Sequence, residues 1–247
     1  MPMPPGVVRF TEPFLHTFLP VPLPPIQAGI CRMCHGAADP GDAQCWSCRK
    51  TTAQVARPVG EVVPISLCEA QGQLHYLLRK YKDGPPELRR RLRPRVAGLV
   101  GRFLAEHERC LGPWDIVTTV PSGQNRQGTH PLVTALYMLP LRTRHRRLLR
   151  ADSAALRGEH LAASDDRFTL TEEAANARIL LVDDTFTSGA ALQSAASRLQ
   201  LEGAQVTAVV LGRYVKPEYS ASLLSRSRAR QPFRFDRCCR CDEDWRT

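Results

Sequence analysis

Two stretches of this 247-residue sequence carry residue types at spacings that can do chemistry. The first is Cys31-x-x-Cys34, followed after ten residues by Cys45-x-x-Cys48. Two tight turns that each offer a pair of thiolates are the usual way to close a tetrahedral zinc site. The surrounding residues 29–50 are rich in Gly, Asp and Ala and too short to bury an apolar core, so a metal would take the place of that core. Cys31-Arg-Met-Cys34-His35 also fits a haem-attachment pattern, but that reading leaves the second pair unused. Cys45-Trp-Ser-Cys48 could be a redox pair, although no thioredoxin-like βαβ pattern surrounds it.

The second stretch begins with the apolar run Ile179-Leu180-Leu181-Val182, which fits a parallel strand buried on both faces. Asp183-Asp184 end the run, and Thr185-Phe186-Thr187-Ser188-Gly189 then lead into a helical pattern from Ala190 and Ala191 onward. Ligands of parallel α/β sheets bind beyond the carboxyl ends of the strands. A tight loop entering a helix presents backbone N–H groups to an anion, best a phosphate. Adjacent carboxylates cannot hold that phosphate themselves, but they suit vicinal hydroxyls or a cationic centre beside it. A ribose 5-phosphate meets both demands. No G-x-x-x-x-G-K-[ST] and no G-x-G-x-x-G after a strand occurs, which argues against Walker-type and dinucleotide sites.

The elements that must position these residues follow an alternating order. Residues 62–67 read as a strand that Pro64 confines to a sheet edge. Residues 74–80 and 87–109 carry helical spacing, the latter interrupted by Pro94. Residues 115–120 form a short strand ending at Pro121-Ser122-Gly123, and 131–139 a helix opened by proline. The strand at 179–182, a helix at 189–201 stopped by Gly203, and a strand at 204–211 make a βαβ unit. The fold class expected is therefore α/β: a parallel-sheet domain over residues 59–216, preceded by a small zinc-ribbon-like module and spacer over 29–58. Residues 1–28, with eight prolines, read as an extended leader, and 217–247 as an Arg-, Ser- and Cys-rich tail. In that tail, Cys238, Cys239 and Cys241 could bind a second metal, complete a site with another segment, or remain free thiols in a mobile end. Cys68 and Cys110 read as small core residues.

Composition narrows the class of partner. The net charge is +10, and only four of the 34 basic residues are lysine. Arginine's planar fork suits phosphate groups, so nucleic acid or a polyphosphate ligand is one reading. An arginine-favouring codon bias is the other. No apolar run approaches the length of a membrane span, and Met1-Pro2-Met3-Pro4-Pro5 lacks the features of a secretory signal. A cytoplasmic location is expected. The odd count of nine cysteines likewise favours metal or free thiols over a disulfide framework.

The segment from Ile179 to Ala191 resembles the phosphoribosyl-pyrophosphate (PRPP) loop of type I phosphoribosyltransferases. With the four cysteines ahead of it, and with Leu77-Leu78-Arg79-Lys80-Tyr81-Lys82-Asp83-Gly84 and Asp115-Ile-Val-Thr-Thr-Val120-Pro121 between, the chain resembles a divergent branch of the ComF (competence protein F-like) family over about residues 29–214. The resemblance implies that Asp183 and Asp184 bind ribose hydroxyls, and that Thr185, Phe186, Thr187, Ser188, Gly189, Ala190 and Ala191 surround the 5-phosphate. It also implies Mg²⁺ with PRPP, a pyrophosphate-side loop at Pro121, Ser122 and Gly123, and Arg126 as counter-charge. Ala191 stands where a threonine hydroxyl is common, and the segments 126–131 and 154–160 depart from the family pattern. The implied activity is transfer of a phosphoribosyl group to a nitrogen acceptor with release of pyrophosphate. The alternative is a non-catalytic sensor of PRPP or nucleotide, or an adaptor in DNA uptake that meets DNA by non-specific electrostatics or binds DNA-uptake proteins.

Overall fold

Ile179-Leu180-Leu181-Val182 has no polar face to show water, and the computed structural model, which describes residues 6–122, 129–151 and 162–241, places it inside a parallel sheet. The strands are β1 (Val62–Glu69), β2 (Ile116–Thr119), β3 (Leu149–Ala151), β4 (Phe168–Leu170), β5 (Arg178–Phe186) and β6 (Gln205–Val215). Four of them form the sheet in the order β1-β6-β5-β2, every pair parallel, while β3 and β4 make a separate antiparallel pair. β1 lies at an edge, as Pro64 requires, because proline cannot donate to a second neighbour. All four parallel strands end at the same edge, where Asp183, Asp184 and Arg213 sit.

The helices are α1 (Val7–Thr11), α2 (Trp46–Thr52), α3 (Gln73–Asp83), α4 (Pro86–Leu111), α5 (Pro131–Leu136), α6 (Ala190–Leu201) and α7 (Pro217–Arg228). The period-two alternation of the strands sorts their side chains to two layers. Leu180, Val182, Val209 and Leu211 pack with α3, α4, α5 and α7. Ile179, Leu181, Ala208 and Val210 pack with Leu192, Ala195 and Leu199 of α6. Each fully buried Leu, Ile or Val contributes about 1.5–3 kcal/mol, so the sheet needs helices on both faces and has them.

Three expectations are corrected. The leader is not extended: α1 and a 3-10 turn over Glu12–Thr17 precede Phe18, Leu19 and Val21, which are buried in the main core. Arg102 on α4 donates to Thr11 Oγ1 and Glu12 at 2.8 Å each, and the Leu19 amide donates to Ser66 Oγ at 3.2 Å. Apolar residues beside an open sheet edge have surface to bury, which proline content does not reveal. The tail is folded too over its described residues, with α7 followed by Phe233, Phe235, Cys238 and Cys239 in the same core. Finally, Pro94 does not interrupt α4. It removes one hydrogen bond to the exposed Arg90 carbonyl region, while Leu92, Val96, Leu99 and Phe103 hold the helix through its buried side. Among the described residues, no helix is long and apolar enough to cross a membrane.

Candidate functional site

β5 continues in strand conformation through Asp183 and Asp184, so the two carboxylates leave on opposite faces. Their surroundings differ. Asp184 is buried at 4% exposure; Tyr81 Oη donates to its Oδ2 at 2.5 Å and Lys82 Nζ to its Oδ1 at 2.8 Å. Burial would raise its pKa, but the Lys82 charge, these hydrogen bonds and the nearby His130 hold it below the ordinary carboxylate value. Asp183 is half-buried, and its Oδ1 accepts the Asp184 amide at 2.8 Å. Loss of water and the charge of Asp184 push it up to about 8, against the pull of Lys82, that amide and Arg167. Neighbouring acids pushed apart in this way are divided into a fixed anion and a group that holds a proton near neutrality.

The loop after the pair turns sharply at Gly189, whose φ of +86° is the left-handed region that favours glycine. A Cβ there would also lie 2.4 Å from Phe186 Cζ. Ala190 and Ala191 then open α6, with the Ser188 hydroxyl accepting the Ala190 amide at 3.3 Å. Thr185, Phe186, Thr187 and Ser188 span the step from strand to turn. The amides entering the 12-residue α6 lie at a strand's carboxyl end, where backbone N–H groups can face an anion. On the neighbouring strand, the Val120 amide donates to the Val182 carbonyl at 3.2 Å, which brings Pro121 and Ser122 beside the acid pair. Gly123 and Arg126, and the segment 154–160, lie outside the described residues.

Side chains that sequence reasoning did not assign to the site complete its wall. Tyr81 and Lys82 reach it from α3; only the resemblance had singled out their stretch. His130 accepts the Leu132 amide at 3.2 Å through Nδ1, capping α5, and its ring lies near enough to act on Asp184. Arg167, one among many arginines in the sequence, donates to the Ala162 carbonyl at 3.2 Å and interacts electrostatically with Asp183. Its Nε is buried without a hydrogen-bond partner among the described residues. No sequence signal distinguished it.

The thiols of Cys31, Cys34, Cys45 and Cys48 converge, all within 4.8 Å of one another. Cys34 Sγ and Cys45 Sγ are 3.9 Å apart, against an edge of about 3.8 Å for a tetrahedron with Zn–S bonds of about 2.3 Å. The fit is close, and the donor set could hold a zinc ion. Hydrogen bonding from Cys34, Cys45 and Cys48 drives the Cys31 thiol far down, while burial drives Cys34 well up. α2 starts directly after Cys45 and places Cys48 in its first turn.

This module is joined to the loop by Arg213 at the end of β6. Its Nε donates to Cys34 Sγ at 3.1 Å, and its Nη1 donates to the carbonyls of Phe186 and Thr187 at 3.3 and 3.2 Å. Burial works against the guanidinium charge, but the surrounding Cys34, Cys45 and Cys48 hold its pKa above the ordinary value. Gly36 leaves the room it needs, since a Cβ there would lie 2.8 Å from the guanidinium. The cysteines share a core with Ile179, Leu181, Phe186 and α6. A scan against family models finds no matching family for this chain, and a search of curated proteins finds no match.

Proposed function

We propose that the chain binds PRPP or a related ribose 5-phosphate with Mg²⁺, and acts as a phosphoribosyltransferase that transfers the phosphoribosyl group to a nitrogen acceptor and releases pyrophosphate. The observation that carries this reading is the Asp183–Asp184 pair at the carboxyl end of an interior parallel strand, one turn before the α6 amides. In it, the amides of 187–191 take the 5-phosphate, and Asp183 takes the ribose hydroxyls. Asp184 fixes Lys82 and Tyr81 beside them, and Pro121 and Ser122 face the pyrophosphate with Arg126. Displacement at the ribose carbon passes through a cationic centre, so fixed charge and positioning carry most of the catalysis. Zinc at Cys31, Cys34, Cys45 and Cys48 has a structural role, because four thiolates leave no open position for chemistry. Zinc-bound thiolates at these positions fit a reducing, cytoplasmic compartment.

A second reading is favoured by two features. Ala191 lacks the hydroxyl that would add a charged hydrogen bond, and Asp184 already has Tyr81 and Lys82 as partners. Both suit a non-catalytic sensor, or an adaptor that meets DNA through its arginines in DNA uptake. Pyrophosphate release from the purified chain with PRPP, Mg²⁺ and a panel of nucleobases and amines separates the two. Release with one acceptor establishes the transferase; PRPP binding by calorimetry without release from any acceptor establishes the sensor. Absence of PRPP binding overturns both ligand assignments.

A further inference from the structure

α4 carries His107 and Cys110 three residues apart, on one face near its end, and His107 is fully buried. The chain returns to this face more than a hundred residues later. Phe233 stacks edge-on against Phe18 and Phe235, and Cys238-x-x-Cys241 then turns back, with the Cys241 amide donating to the Cys238 carbonyl at 3.1 Å. The turn delivers two thiols onto the helical pair.

The distances are those of a coordination shell. Cys238 and Cys241 Sγ are 3.4 Å apart, and Cys110 and Cys241 Sγ 3.6 Å apart. His107 Nδ1 lies 3.4 Å from Cys241 Sγ and 3.6 Å from Cys110 Sγ. All four ligand atoms fall within 4.8 Å of one another. A tetrahedral zinc with three sulfurs and one nitrogen has edges of about 3.8 Å between sulfurs and about 3.6 Å from sulfur to nitrogen. A disulfide, by contrast, needs an S–S separation of about 2.05 Å.

Two further contacts settle the protons as a metal would require. His107 Nε2 lies 2.6 Å from the Phe235 carbonyl oxygen, which can only accept, so Nε2 carries the hydrogen. In the neutral ring the lone pair is then on Nδ1, facing the sulfurs, and the ring is held by an outer partner as metal-ligating histidines are. The Arg240 amide lies inside the turn and donates to Cys238 Sγ at 3.3 Å, an interaction that favours thiolate. We propose that His107, Cys110, Cys238 and Cys241 form a second, structural zinc site that pins the end of the chain to α4. The site bridges to the first cysteine module: Arg240 donates to Glu61 Oε2 at 2.7 Å, and Glu61 Oε1 lies 3.1 Å from His35 Nε2, beside Cys34.

The test is zinc stoichiometry of the full chain purified under reducing conditions, with X-ray absorption at the zinc edge. Wild type should hold two zinc ions per chain, with an average shell of about 3.5 sulfurs and half a nitrogen. Cys238→Ser/Cys241→Ser should hold one, with an all-sulfur shell. Cys45→Ser/Cys48→Ser should keep one, and cobalt exchanged into it should show thiolate charge-transfer bands. One zinc per wild-type chain in an all-sulfur shell overturns the site, as does a disulfide among Cys110, Cys238 and Cys241. Two zinc ions without nitrogen remove His107 and overturn it as stated. The wild-type spectrum decides these cases even where a variant fails to fold.

Discussion

Asp183 and Asp184 are adjacent in sequence, yet replacing each by asparagine should do different things. Asp184→Asn keeps the size of the side chain but removes the charge that Lys82 Nζ faces at 2.8 Å and Tyr81 Oη at 2.5 Å. Hydrogen bonds to a charged group contribute about 1.5–3 kcal/mol each, and the amide oxygen can retain one of them. Breaking a buried ion pair costs about 3–5 kcal/mol. Lys82 is 22% exposed against 6% for Asp184, so water recovers part of that. The loss expected is about 2–4 kcal/mol. Asp183→Asn should not destabilise at neutral pH and should raise stability, because folding there requires the raised Asp183 carboxyl to take up a proton that the unfolded chain lacks, whereas the amide needs none and its oxygen can still accept the Asp184 amide. Ligand binding should reverse the order. In the proposed complex Asp183 gives up its proton to accept from a ribose hydroxyl, and loss of that charged hydrogen bond weakens PRPP by about tenfold or more in Asp183→Asn. Urea unfolding followed by tryptophan fluorescence reads the first effect, and calorimetry with PRPP and Mg²⁺ the second. A Lys82→Met partner variant closes a double-mutant cycle, in which a coupling of at least about 1 kcal/mol is expected. Equal destabilisation by both aspartate variants, or a stable Asp184→Asn, would refute the assignment of fixed anion and proton-holding group.

The same pair sets a pH dependence. The folded Asp183 carboxyl titrates near 8 rather than its ordinary 3.8, so the folded chain holds a proton that the unfolded chain releases. That contribution is complete below about pH 4 and is lost as pH rises through about 8. The stability of wild type relative to Asp183→Asn should therefore fall from about pH 4 to about pH 8 and level off above, and a flat difference in urea midpoints contradicts this. Gly189→Ala should lower the melting temperature, since left-handed backbone costs alanine about 1–2 kcal/mol and its Cβ meets the Phe186 ring; an unchanged Tm counts against the turn. Cys45→Ser/Cys48→Ser should lose one zinc and destabilise the whole chain, because these cysteines share a core with α6, β5 and β6. A second domain that melts as in wild type would show an independent ribbon instead. DNA binding should weaken linearly on a log–log salt plot; a sequence preference that survives high salt would contradict a purely electrostatic contact.

What was legible in the sequence is what neighbouring residues encode among themselves. Cys31 to Cys48, the apolar run at 179–182 and the edge-strand meaning of Pro64 each depend on spacing within eighteen residues or fewer, and each stands in the fold as read. Local rules failed where a distant surface changed the balance. Pro94 is a helix breaker in isolation, but four buried residues on the opposite side of α4 outweigh one missing bond. Phe18, Leu19 and Val21 sit among prolines and read as leader until a sheet edge is there to receive them. Arg167 and Tyr81 had no local pattern that marked them as neighbours of the acid pair.

Cys110 shows most sharply why the remainder was hidden. On its own helix it has the spacing of a half-buried core residue, and nothing within thirty residues offers it a thiol partner. With α4 packed on the sheet and Phe233 set edge-on to Phe18, the turn at Cys238 brings Cys241 Sγ to 3.6 Å from Cys110 Sγ and 3.4 Å from His107 Nδ1. The order of assembly then matters. The first cysteine cluster can close early, because its loop is short and loop closure costs little entropy. A cluster joining residues 107 and 241 closes a loop of more than a hundred residues, which costs more entropy than the short first loop, and the core brings its two halves together. The first site can therefore be written as a motif, while the second depends on a surface that no motif encodes. Arg213 belongs with the second kind: it links Cys34 to the carbonyls of Phe186 and Thr187 only because β5 and β6 are paired in register, Phe186 opposite Arg213.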